Sequence, residues 1–62
     1  MIRIKVKYEG LHKKETWLPI GTWEITKRTR DDVFYALDKM VDIERRKRKI
    51  AIRYRILEEE EV

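Results

Sequence analysis

Apolar and polar residues alternate strictly at the start of the chain. Ile2, Ile4, Val6 and Tyr8 fall on one side of an extended backbone, and Arg3, Lys5 and Lys7 on the other. Successive side chains of a strand point to opposite faces, so residues 1–8 read as a half-buried strand. The polar stretch "EGLHKKE" (9–15) contains Gly10 and reads as a loop. Residues 16–28 are rich in strand formers, interrupted by Pro19 and Gly21. Proline lacks the N–H that a central strand needs, so this segment is expected at a sheet edge, bent by a bulge at 19–21. Two short strands around a tight turn is the other reading. The break leaves open whether Trp17 and Trp23 share a face.

The period then changes. Val33, Phe34, Leu37, Met40 and Val41 recur at helical spacing. Thr29 and Asp32 have capping-box spacing, and Asp31 and Asp32 sit where the positive end of a helix favours anions. A helix is predicted over about 30–45. Residues 49–57 alternate again, with Ile50, Ile52, Tyr54 and Ile56 opposite Ala51, Arg53, Arg55 and Leu57. The stretch Glu58–Glu61 with Val62 is expected to fray as an acidic tail.

The predicted fold is therefore α+β, a single compact domain over 1–62 in two layers. It is a small three-stranded antiparallel or mixed sheet in β-β-α-β order with one helix on one face. Putting the last strand beside the first makes the first strand central and leaves the second sheet face bare.

Charge changes this picture from a fold into a candidate surface. Charged residues are 45% of the chain and the net charge is +4. On the bare face the pattern places Arg3, Lys5, Lys7, Arg53 and Arg55, with no acid alternating among them. Beside them runs Arg45, Arg46, Lys47, Arg48 and Lys49, more cations than the negative end of a helix needs. Together these ten residues are the candidate grip for nucleic-acid phosphates. The first and last strands bring no aromatic to that face, which favours duplex or structured RNA over single strands. The acidic tail has two readings: a simple solubility tail, or a segment that folds back transiently onto the basic face and weakens nonspecific binding. The alternative is a protein-interaction module or small inhibitor, of a kind viruses also encode, acting through Trp17 and Trp23 on the edge strand 16–26. That strand would also serve a homodimer.

Catalysis is not expected. The chain has no serine or cysteine, and His12 stands alone without a nucleophile or orienting carboxylate. Asp31 and Asp32 are explained by capping, and Asp38 and Asp42 by a solvated helix face. No metal motif, phosphate loop or cofactor site is present in the sequence, and no small-molecule substrate is suggested. Absence of Asn, Gln and Cys beside abundant Glu, Lys and Arg suggests a hot habitat, archaeal or viral. The longest uncharged run, "TWLPIGTW" (16–23), is far short of the ~20 residues of a membrane helix. With no signal-like apolar block, an intracellular, cytoplasmic location is expected.

Two stretches carry resemblances. "IKVKYEG", with "KKE" shortly after, resembles the opening strand and turn of the small chromatin proteins of Sulfolobus over the first fifteen residues. "RRKRKIAIRYRI" (45–56) is similar to the basic segment and following strand of archaeal ribosomal protein LX, which shares the order strand–strand–helix–basic segment–strand. No functional residue is carried over from either.

Overall fold

The computed structural model describes all 62 residues. Strand β1 spans Ile2–Lys13, β2 Thr16–Lys27, helix α1 Arg30–Arg48, and β3 Ile52–Glu61. The sheet order is β2-β1-β3, and both pairings are antiparallel. This is the predicted β-β-α-β fold, with β1 central and the helix on one face.

The alternating residues of β1 explain the layering. Ile4 and Val6 are fully buried and cluster with Ile25 of β2 and with Val33 and Leu37 of the helix. Ile2, Trp23, Phe34, Ala36, Met40 and Tyr54 pack around them. Thr29 starts the helix, its Oγ1 accepting from the Asp32 N–H at 3.2 Å, which satisfies one of the free donors of the first turn. The helix runs to Arg48, three residues past the predicted end, and Lys49 closes it in the left-handed region with φ 57°. The Lys49 N–H donates to the Arg45 carbonyl at 2.8 Å.

The polar stretch 9–15 is not a loop. β1 continues through it to Lys13, and only Lys14 and Glu15 turn the chain, with Glu15 at φ 65°. Composition misled here because this end of the hairpin overhangs β3, so both faces are wet and the polar side chains need no burial. Gly10 is the exception and is buried. A Cβ placed there would lie 2.6 Å from Ile50 Cδ1 and 3.0 Å from Ile20 Cδ1. Its bare backbone lets those two isoleucines close the end of the core. The expected bulge in β2 exists: Tyr8 pairs with Gly21 and Glu9 with Pro19, leaving Ile20 as the extra residue. The bent edge strand is thus the correct alternative.

The largest departure lies at the other end of the chain. Glu58–Glu61 do not fray. They form the second half of β3, paired as Glu58 with Lys5, Glu59 with Ile4, Glu60 with Arg3 and Glu61 with Ile2. The ladder closes at the termini, where Val62 N–H donates to the Met1 carbonyl and the Met1 ammonium to the Val62 carbonyl, each at 2.8 Å. The cause is a bulge at Leu57. Val6 pairs with Ile56 and Lys5 with Glu58, so Leu57 is skipped. Strict alternation from Arg53 and Arg55 would have sent Glu59 and Glu61 to the bare face. The bulge exchanges them for Glu58 and Glu60, and turns Glu59 toward the helix.

Candidate functional site

The bare sheet face carries the five expected cations, Arg3, Lys5, Lys7, Arg53 and Arg55, since each lies out of phase with the buried residues or opposite one that does. It is not purely cationic, however. Glu60 and Glu58 of β3, Glu24 of β2 and Glu9 of β1 stand on the same face, and the expectation of no interleaved acid is overturned. Strand pairing brings in Glu9, Glu58 and Glu60, which the sequence pattern had assigned to a loop and a tail, and Glu24 of the edge strand.

The face divides along its length. At the end nearest the termini, Arg3 is ion-paired with Glu60 and lies 3.7 Å from Glu24. Its pKa is raised, first by the hydrogen bond to Glu60 and next by that carboxylate's charge. Arg3, Lys5, Glu24, Glu58 and Glu60 line a shallow open cleft of about 190 Å³ with no apolar wall. Cations and carboxylates neutralise one another there. On the helix side of the same end, Glu59 receives both Nε and a terminal nitrogen of Arg30 at 2.9 Å, a forked pairing that ties the start of α1 to β3. The hydrogen bond from Arg30 is again the first cause of its raised pKa.

The opposite end differs. Lys7 and Arg55 face each other in the β1–β3 register, and neither has a carboxylate partner. Directly opposed like charges destabilise a strand pair unless something screens them. Beyond them Arg53 donates to Glu9 at 3.2 Å, and its guanidinium lies 4.1 Å over the Trp17 ring. Trp17 is therefore on the bare face. Trp23 is on the buried one, stacked on Tyr8 with ring centroids 3.8 Å apart. The two tryptophans share no face, because the Ile20 bulge between them resets the register.

The basic run belongs to this same end but to the other layer. Arg45, Arg46, Lys47 and Arg48 form the last turn of α1 and Lys49 caps it. Arg46 pairs with Asp42 at 3.2 Å and Arg48 with Glu44 at 2.6 Å, both one helical turn apart. The hydrogen bond to Glu44 raises the Arg48 pKa. Arg45, Lys47 and Lys49 have no such partner and are exposed. Lys13 and Lys14 at the hairpin tip add to them. The ten residues singled out in the sequence are thus not one patch. Lys7, Arg53, Arg55 and the helix end gather at one end of the molecule, and Arg3 and Lys5 lie at the other, among acids. Charge is segregated along a 38 Å axis.

Sequence reasoning missed Glu9, Glu24, Glu58 and Glu60 as parts of this surface. The signal for the last two was present: Arg3 and Lys5 are two apart, as are Glu58 and Glu60, which is the spacing two strands need to match charges across a ladder. Tyr54, half-buried beneath the helix, has its pKa raised by desolvation first and by the charge of Asp38 second. No group of three or more His, Cys, Asp or Glu residues is arranged to hold a metal ion. No helix is long and apolar enough to cross a membrane.

What the fold and its surface define is a two-layer α+β protein with a charge-segregated open sheet. No family model matches the chain, and no curated protein or solved structure does either.

Proposed function

We propose that the protein binds the sugar–phosphate backbone of duplex DNA or structured RNA, and does so with its cation-rich end. One observation carries this reading: Glu58 and Glu60 are spent on the Arg3–Lys5 end, while Lys7 and Arg55 are left opposed and unpartnered. The hairpin tip and the helix end add Lys13, Lys14, Arg45, Lys47 and Lys49 to that pole. A sequence that maintains such repulsion gains from an anion that relieves it.

The layering supports a backbone reader. The cations of this pole come from both layers, Lys7 and Arg55 from the sheet and Arg45, Lys47 and Lys49 from the helix end, so they can meet phosphates at several points along a duplex. Nothing at this end is suited to base readout by stacking. Trp17 is the lone aromatic on the bare face, and Arg53 covers one side of its ring. That favours duplexes over single strands. The tryptophan-edge reading loses support, because Trp23 is packed against Tyr8 under the helix and Pro19 interrupts the edge.

The test is the salt dependence of binding to short DNA and RNA duplexes. Every phosphate that the protein no longer neutralises lowers the slope of log K against log salt by about 0.9. Replacing Lys7, Lys47 and Lys49 together by alanine is expected to lower it by about 2 to 3. Replacing Arg3 and Lys5 together is expected to change it by well under ~1, since Arg3 is ion-paired with Glu60 and Lys5 stands in register between Glu24 and Glu58. Equal losses from the two sets, or no duplex binding by the intact chain, would remove the proposal.

A further inference from the structure

β3 is the second edge of the sheet, and its outer backbone groups have no partner strand. Its sequence, "IRYRILEEEE", is cationic in its first half and acidic in its second. Because of the Leu57 bulge, Arg53, Arg55, Glu58 and Glu60 all lie on the bare face. Arg55 and Glu58 have no ion-pair partner within the chain. Ile56 and Leu57, between them, are large apolar side chains left 41% and 44% exposed.

We infer that two copies of this chain join edge to edge through β3, antiparallel about a two-fold axis at Ile56–Leu57, with Arg55 of each copy opposite Glu58 of the other and Arg53 opposite Glu60. The charge pattern selects this arrangement. Parallel pairing in register stacks the glutamates on one another. Among antiparallel registers, this one alone sets both arginines against glutamates of the same face. It also brings the two exposed apolar side chains together at the axis, and it lays the basic half of each β3 beside the acidic half of its mate. The other edge is protected from such pairing, because Pro19 has no N–H to donate and β2 is irregular at Ile20. A six-stranded sheet results, in which Arg55 gains the mate's Glu58 as partner while Lys7 and the lysines of the hairpin tip and helix end stay free for phosphate. Self-association is read without nucleic acid and the proposed function by duplex binding, so the failure of one is distinguishable from the failure of the other.

Sedimentation of the full chain without nucleic acid decides it, with Arg55→Glu and Glu58→Arg as charge-reversed forms. The intact chain is expected to be a dimer whose association weakens with salt. Arg55→Glu places a carboxylate opposite Lys7, so the fold is kept and thermal melting should not fall. It also sets carboxylate against Glu58 across the axis twice, weakening self-association by about tenfold or more. Glu58→Arg alone should weaken it similarly, and an equimolar mixture of the two variants should dimerise again, since every cross-axis pair is then of opposite sign. Monomeric intact chain, or Arg55→Glu dimerising as well as the intact chain, overturns the inference. If Glu58→Arg does not fold, the Arg55→Glu result decides alone.

Discussion

Cutting the chain after Leu57 is expected to leave it largely unfolded at 25 °C. Were Glu58–Glu61 a loose tail, the cut would cost little, and it would raise affinity for polyanions by unmasking cations. As the second half of β3, these residues supply the ladder that holds the first residues of β1 on one side. Each ladder hydrogen bond contributes only about 1 kcal/mol net. Yet a folded chain of 62 residues has only about 3–9 kcal/mol in total, at 0.05–0.15 kcal/mol per residue. The cut also removes Glu59, which anchors Arg30 at the start of the helix, and Glu60, which pairs with Arg3. It uncovers the Ile2–Ile4 end of the core and leaves Arg3 and Lys5 crowded without their β3 carboxylates. Circular dichroism of the truncated chain, read before any binding experiment, checks this. A native spectrum with an unchanged melting temperature would show that the acidic half is dispensable.

Leu37→Ala is expected to be comparably damaging. Leu37 is fully buried at the centre of the helix–sheet contact, among Ile4, Val6, Ile25 and Val33. Removing a buried leucine side chain to the β-carbon costs about 2–5 kcal/mol, more when the surroundings cannot collapse into the cavity. Here three of the neighbours are held by strand pairing and cannot follow. The core has so few fully buried members that no other cluster compensates. Against a total of about 3–9 kcal/mol the variant sits near or below the folding threshold. Urea unfolding measures the loss directly. A midpoint within experimental error of the intact chain would show that the helix is not what the sheet is packed on.

Much of this architecture can be read from the sequence, and for physical reasons. Period-2 burial in β1 and β3 and the Thr29 cap are local signals, and the core face follows from them. Two things are not local. A run of four glutamates has poor strand propensity and strong self-repulsion, so taken alone it belongs in solvent. It becomes a strand because Lys5 and Arg3 face it across the ladder and Arg30 reaches it from the helix, partners more than twenty-five residues away in sequence. The second is the pair of bulges. One residue at Ile20 sends Trp17 and Trp23 to opposite faces. One residue at Leu57 decides which glutamates meet the sheet cations and which meets the helix. Alternation read straight through either point gives the wrong face for everything after it.

That error matters for the candidate site. With the acidic stretch free, Arg3, Lys5, Lys7, Arg53 and Arg55 look like one cationic sheet. With it paired, the surface has a neutralised end and a charged end, and the proposed phosphate contacts narrow to Lys7 and the cations of the hairpin tip and helix end. Pairing of an acidic run is thus the event that shapes the proposed phosphate-binding pole.

Amide hydrogen exchange at Glu58–Glu61 tests that pairing most directly. The account predicts that the amides directed at β1 in this stretch are protected to nearly the same degree as those of Ile52–Ile56. Exchange of all four amides at the rate of an unstructured peptide, with Ile52–Ile56 still protected, would contradict it.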